Sequence, residues 1–375
     1  MKQGWEYGIL EDAVNKGSSN ISLNKIKGDD GDFPVFGAKG FVQNVSFFQQ
    51  EAEYLGIIKD GAGIGRVSRH PEKSSILATM QYILPKEGYD IQFINYFLNY
   101  VDFEKYRTGS TIPHIYFKDY KSEPFPLVTL PEQKRIVAKL DQAFEAIDKA
   151  KANVERNLQN AKDLFQSELN KIFSQRGDGW VEKVLNDIGQ IQTGTTPPTR
   201  DKSNYGNFIP FVKPSHFNSD GSIDTGDCML SKNGLDNGRL FPANSVLMVC
   251  IGATIGKTGF SEEPVSANQQ INCLTPTKEH NPKLFYFGLI SPFVQKQVTD
   301  IGKGAQATLP IINKSKWQKL KINIPAKKSI QDGIVIQLND LRSQTVSLEK
   351  KYLQELDAFD ELKKSILQKA FNGEL

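Results

Sequence analysis

The residues of this chain best suited to chemistry are glycines and cations at short, repeated spacing. Gly252-Ala253-Thr254-Ile255-Gly256-Lys257-Thr258 comes close to a phosphate-binding loop. Such a loop needs four residues between its glycines, and three stand here. An earlier copy, Gly61-Ala62-Gly63-Ile64-Gly65-Arg66, is followed by Val67 where a nucleotide site needs Ser or Thr. Gly61-Ala62-Gly63 also fails the dinucleotide fingerprint, because its third glycine comes too soon. Both stretches read as tight glycine-rich turns at strand ends, each with a cation at its tip. No nucleophile elbow, zinc-protease helix, kinase set or Asn/Asp-Pro-Pro-Tyr/Phe motif is present. His70, His114, His216 and His280 are scattered and read as solvated or packing residues. Cys228, Cys250 and Cys273 are odd in number and not spaced with histidines, so they read as free thiols and no metal site is expected. No catalytic residue is expected.

Side chains suited to base edges are grouped at matching places in the two halves. The second half has Ser266, Asn268, Gln269, Gln270 and Asn272 just after Lys257; the first has Ser74, Ser75, Thr79, Gln81 and Tyr82 just after Arg66, Arg69 and Lys73. Asn and Gln pair with adenine, and Arg or Lys with guanine. Arg107, Thr108 and Ser110 lie beside Thr111-Ile112-Pro113, and Lys303 and Gln306 beside its repeat Thr308-Leu309-Pro310. Thr193, Thr195, Thr196 and Lys213 open the second half. Any one of these could be a plain surface residue. The repetition of the clusters favours DNA contact.

Two long helices must position these groups. Ile136, Leu140, Ala143, Ile147, Ala150 and Val154 recur at steps of four and three, as a coiled-coil seam does. Ile334, Leu338, Leu341, Thr345, Leu348 and Tyr352 repeat the pattern. Both copies then step by four again, to Leu158 and Leu356, a shared stutter that argues for duplication and pairing. The order is residues 1–130 as a strand-rich globule, 131–175 as a helix about 60 Å long, 176–326 as a second globule and 327–375 as a second helix. Trp5…Leu10 recurs as Trp180…Leu185, Pro85 as Pro276, and Pro126 as Pro325. Residues 91–100 read as a short helix. The fold class is α+β: two strand-rich α/β globules on one plan, joined by two long antiparallel coiled-coil helices, with an internal pseudo-two-fold.

The net charge is +3, and the long helices contribute none of it: eight Lys/Arg face seven Asp/Glu over 131–173, and six face seven over 329–371. The surplus lies on the globules, where a nucleic acid would need it. The first residues hold no apolar run that could serve as a signal peptide, and no stretch approaches a membrane span. A cytoplasmic protein is expected.

Leu130-Pro131-Glu132-Gln133-Lys134-Arg135-Ile136-Val137, opening a long helix after a strand-rich globule, resembles the specificity subunits of type I restriction–modification systems. So do Leu367-Gln368-Lys369-Ala370-Phe371-Asn372-Gly373-Glu374-Leu375, Thr111-Ile112-Pro113 and Thr193-Gly194-Thr195-Thr196-Pro197. The second helix keeps only the Gln331 of Pro-Glu-Gln. The resemblance implies a non-catalytic subunit whose two target-recognition domains each read one half of a split, asymmetric target in double-stranded DNA. It implies two methylation subunits docked on the helices and restriction subunits in the full complex, with S-adenosylmethionine, ATP and Mg on those partners only. Phe144, Phe165 and Phe359 are candidate exposed docking residues, with burial between the helices as the other reading. Competing readings are a coiled-coil scaffold or tethering protein with protein-binding globules, and a DNA-modifying enzyme with an unrecognised site. An antirestriction DNA mimic would need strong negative charge.

Overall fold

The computed structural model describes residues 5–218, 220–303 and 311–375. The chain forms two compact units, Met1–Glu155 with Gln354–Leu375, and Arg156–Leu353. The long helices run Leu130–Phe173 and Lys328–Phe371, 44 residues each, so the division falls inside them and each unit holds part of both. Among the described residues, no helix is long and apolar enough to cross a membrane.

The first unit has strands β1 (Glu6–Ile9), β2 (Val14–Ser18), β3 (Phe33–Gly37), β4 (Gly40–Val45), β5 (Tyr54–Ile58), β6 (Val67–His70), β7 (Ser75–Ile76), β8 (Met80–Pro85) and β9 (Pro124–Leu127). They form a four-stranded antiparallel sheet β2-β8-β5-β6, a three-stranded sheet β4-β3-β7 and a pair β1-β9. The central strand β5 is apolar on both faces, as a strand covered on both sides must be. Its Leu55 and Ile57 enter one core, while Tyr54 and Ile58 enter another.

The second unit repeats this with β10 (Trp180–Val184), β11 (Gly189–Thr193), β12 (Tyr205–Val212), β13 (Met229–Leu230), β14 (Ser245–Val249), β15 (Thr258–Ser261), β16 (Ser266–Ala267), β17 (Ile271–Pro276) and β18 (Lys321–Pro325). Its sheets are β11-β17-β14-β15, β13-β12-β16 and β10-β18. The match extends to register: Leu55 faces Ile83 in the first unit, and Val246 faces Leu274 in the second, both pairs offset by the same number of residues. Pro126 and Pro325 are not equivalents, however. Pro126 pairs with Tyr7, three residues before Leu10, whereas Pro325 pairs with Trp180, five before Leu185. Asn323, opposite Glu182, takes the place of Pro126.

The short helix Ile91–Tyr100 forms as the sequence suggests, capped by Asp90, which accepts from the Phe93 amide. Its counterpart Pro282–Ile290 is capped by Asn281. A glutamine locks each cap to the start of a long helix. The fully buried Gln133 accepts from the Asp90 amide (2.8 Å) and donates to the carbonyls of Val128 (2.9 Å) and Gly88 (3.2 Å). Gln331 repeats this with the Asn281 amide (3.0 Å) and the Pro325 carbonyl (2.8 Å). This explains why Gln is the residue of Pro-Glu-Gln that the second copy keeps: its amide satisfies backbone groups that have no other partner among the described residues.

The helices are antiparallel. In the first unit, Ile136 and Leu140 share a core with Leu367, Ala370 and Phe371 from the far end of the second helix. Lys151–Asp360 (2.8 Å) and Lys363–Asp148 (2.5 Å) flank that contact. In the second unit, Phe165, Leu169, Ile172 and Phe173 meet Val335 and Leu338. On the first helix the buried line Ile136, Leu140, Ile147, Val154, Ala161, Phe165 carries the seam through the stutter at Leu158. The second helix departs at Leu348, 38% exposed, because a single facing helix covers only one side of a leucine there. Of the docking candidates, Phe165 is buried in the core of the second unit, and Phe144 and Phe359 are half-buried. The expectation that Phe165 stands exposed is therefore corrected. Exposed apolar side chains on the helices include Leu130, Leu164, Ile330, Ile336, Val346, Leu348, Leu353 and Leu362.

Candidate nucleic-acid interface

Each four-stranded sheet ends in the glycine turn singled out above. In the first unit, Gly61 and Gly65 have φ of 97° and 80°, values that only glycine adopts without strain. Gly65 donates to the Ile58 carbonyl and Ile58 to the Arg66 carbonyl (2.9 and 3.0 Å). The turn amides of Gly61, Ile64, Gly65 and Arg66 are all donated within the protein. The Gly252–Lys257 turn closes the same way, with Gly256 donating to Val249 and Val249 to Lys257 (2.9 and 2.8 Å).

Other segments are fastened to the first turn. The amides of Lys59 and Asp60 donate to the Thr79 carbonyl (3.1 and 3.3 Å). The Gly61 amide donates to Pro113 (2.9 Å) and Ile115 donates to Lys59 (3.0 Å), which brings in the loop that carries Arg107 and Ser110. Arg66 is not a free cation at the tip. Its guanidinium folds back over Gly63, and Nη2 donates to the Ala38 carbonyl at 2.8 Å, tying down the β3–β4 tip. That tip presents Lys39 and Phe41, the latter 62% exposed. His114 Nδ1 lies 2.7 Å from Asp60 Oδ1, and Lys59 Nζ is 3.8 Å from the other carboxylate oxygen. Tyr116 stacks beside His114, with Lys118 Nζ 5.5 Å from the Tyr116 ring centre.

In the second unit, Cys250 donates to Gln270 (2.7 Å) and Ile312 to Cys250 (2.8 Å), the same two contacts as at Lys59. Thr195 donates its amide to Ala267 (2.8 Å), and Gly194 packs so closely that a Cβ there would lie 2.1 Å from the Asn268 carbonyl. Thr193 Oγ1 donates to Asn272 Oδ1 (2.7 Å), Thr196 Oγ1 to Gln269 Oε1 (2.5 Å), and Asn268 Nδ2 to Gln270 Oε1 (3.0 Å). The Thr193–Thr196 and Asn268–Gln270 clusters, far apart in sequence, are thus one surface. Lys257 is exposed at the neighbouring turn. Lys213 is half-buried, its Nζ 5.7 Å from the Phe211 ring centre.

The remaining residues of the sequence analysis are less concentrated. Thr79, Arg107 and Ser110 are exposed near the first turn, Arg107 paired with Glu104 at 3.2 Å. Arg69, paired with Glu53 at 2.5 Å, and Lys73 lie along and beyond β6, away from the turn. Gln81 and Tyr82 are corrected: both are buried. The Tyr82 hydroxyl accepts from the Ile76 amide (3.0 Å) and donates to Gln49 (2.9 Å), and burial pushes its pKa up. Ser74 and Ser75 are buried as well, and Asn268 nearly so. Gln306 and the Lys303 side chain lie outside the described residues, as does Thr308-Leu309-Pro310. Burial pushes the Cys250 and Cys273 thiols up to about 12, so neither is a ready nucleophile. Among the described residues, no three His, Cys, Asp or Glu side chains are grouped to hold a metal.

Comparison with known proteins decides the family. Residues 2–156 and 177–358 match the model described as the type I restriction modification DNA specificity domain. The chain belongs to that specificity family. The specificity subunit of the type I restriction enzyme HindI of Haemophilus influenzae is 31% identical over 202 residues, 52% of this chain and 42% of that protein. The EcoBI specificity subunit of Escherichia coli is 24% identical over 297 residues, 71% of this chain and 61% of that one. The chain thus spans about half the length of these curated relatives. It shares its fold with a solved structure reported on complex assembly and conformational transition of the type I R-M system (TM-score 0.78, 17% identity, covering 100% of this chain and 99% of that chain). It also shares it with the HsdS subunit of Thermoanaerobacter tengcongensis (TM-score 0.59, 16% identity, covering 100% and 98%).

Within the two specificity domains, sequence reasoning missed three features. Asp60 and His114 form a pair across 54 positions. Arg239 Nη1 donates to the Thr193 carbonyl at 2.5 Å. The β3–β4 tip meets Arg66 across 28 positions. Only the first left a signal: His114 directly follows Thr111-Ile112-Pro113, a stretch already marked by its repeat.

Proposed function

We propose that this chain is the DNA-recognition subunit of a type I restriction–modification complex. Each specificity domain reads one half of a bipartite target, and the halves differ in sequence. The observation that carries this reading is the family match over both copies, combined with a shared scaffold whose turn-side residues differ between them. The paired helices, each about 66 Å long at 1.5 Å per residue, set the spacing between the halves. Two methylation subunits dock on the helices, and restriction subunits complete the assembly in the cytoplasm. The chain transfers no methyl group itself; S-adenosylmethionine, ATP and Mg belong to the partners.

Methylome sequencing of cells expressing the chain with its methylation subunits tests this. A split, asymmetric motif is expected, and exchanging residues 1–130 for another such domain should change one half only. A palindromic motif, changes in both halves, or methyl transfer by the isolated chain would count against it.

A further inference from the structure

We infer that His114, held by Asp60, reads one base in the half-site of the first specificity domain, an inference that rests on the DNA-recognition role proposed above. His114 Nδ1 lies 2.7 Å from Asp60 Oδ1. An ionised carboxylate can only accept, so the ring proton sits on Nδ1. Nε2 then has no hydrogen-bond partner among the described residues, on a side chain that is 34% exposed. One ring nitrogen is fixed, and the other is left free at the surface.

The ring is placed by backbone. His114 and Thr108 exchange both amide–carbonyl bonds (2.8 and 2.9 Å), the Gly61 amide holds Pro113, and the Asp60 amide holds Thr79. Tyr116 stacks alongside. Such support on every side pre-organises a contact residue. The fold itself does not need the pair. In the second domain the equivalent bridge joins Ile251 and Ile311, and two of the neighbouring main-chain bonds recur beside it, Cys250 to Gln270 and Ile312 to Cys250.

The chemistry follows from the proton's position. In the neutral form of that ring, with its proton on Nδ1, Nε2 accepts a hydrogen bond. The base groups that donate in the major groove are the amino groups of adenine (N6) and cytosine (N4). His114 therefore selects an amino-bearing base, adenine or cytosine, and Asp60 is the residue that positions it.

The test uses the full chain assembled with its methylation subunits, and methylome sequencing of each variant. His114→Ala should relax one position of the first half-site, one that calls for adenine or cytosine. Discrimination at that base pair should fall roughly tenfold, while the second half-site stays unchanged. The double variant Asp60→Ile with His114→Ile installs the second domain's own residues, so it keeps a backbone-compatible pair and should relax the same position. Asp60→Asn should relax it less. Two results overturn the inference: folded variants whose first half-site is unaltered, or a uniform loss of binding with a shallower salt dependence, which marks a phosphate contact. A wild-type complex with no bipartite motif would sink the recognition role itself, which is a separate failure.

Discussion

The two units solve one packing problem with opposite residues. In the first, Gly56 of β5 faces Ser68 and lies beside His70; a Cβ on Gly56 would come within 2.8 Å of His70 Nε2. His70 fills the space, stacked on Tyr54 and bonded to Ser68 Oγ at 2.8 Å. In the second, the equivalent strand has Leu247 facing Gly259, with Ser261 where His70 stood. Large and small have changed places, and the sheet is the same. The turn side behaves likewise: Lys59, Asp60 and His114 give way to Cys250, Ile251 and Ile311, while the bridge between the last two and the paired main-chain bonds at Lys59 and Cys250 are kept. The loop after the short helix is a four-residue helical turn, Phe103–Tyr106, in one unit and a twelve-residue helix, Pro292–Lys303, in the other. The comparison teaches that the scaffold is carried by backbone hydrogen bonds, glycine turns and conserved volume. Side chains on it are free to diverge.

The comparison can be stressed where the units agree and where they differ. The largest effect is expected at the shared latch. Gln133→Ala and Gln331→Ala each strand several buried backbone groups, and each should cost about 3 kcal/mol or more in urea unfolding; a loss at one site only would break the equivalence. The next is specific to the first unit. Burial holds His70 at about 4, below its ordinary 6.5, so the unfolded chain takes up the proton first as pH falls. Stability is full above about pH 6.5 and drains between there and pH 4, by about 3 kcal/mol. Unfolding curves across that range should show a steeper fall for the wild type than for His70→Ser, which carries the second unit's residue. Gly56→Leu should overpack the site by about 1–3 kcal/mol, and His70→Ser in the same chain should restore much of that loss. Equal damage with and without the second change would refute the volume exchange. Smallest is the ion pair Lys363–Asp148 on the helix surface, where Asp148→Asn should leave the unfolding midpoint unmoved.

Much of this was legible because it is periodic. Ile136 to Val154 and Ile334 to Tyr352 announce the helices and their stutter, and glycines at fixed spacing announce the turns. The recognition surface was only half legible. Tyr82, Gln81, Ser74 and Ser75 have the chemistry of base readers, yet their polar atoms serve the core, and nothing local separates a buried hydroxyl from an exposed one. Phe165 misled for the converse reason: on a two-helix seam, burial depends on what the globule adds from outside the heptad. The pairing of Asp60 with His114 left only the faint signal of the repeated Thr111-Ile112-Pro113 before it, because it joins residues 54 positions apart.

Gln133 grips only main-chain atoms, and Gln331 adds one side-chain contact, to His280 Nδ1 at 3.3 Å, so each joint is largely indifferent to which globule it fastens. Gln133 and Gln331 therefore act as a standard coupling, and genetic recombination at those points could splice in a different globule without having to re-engineer the joint.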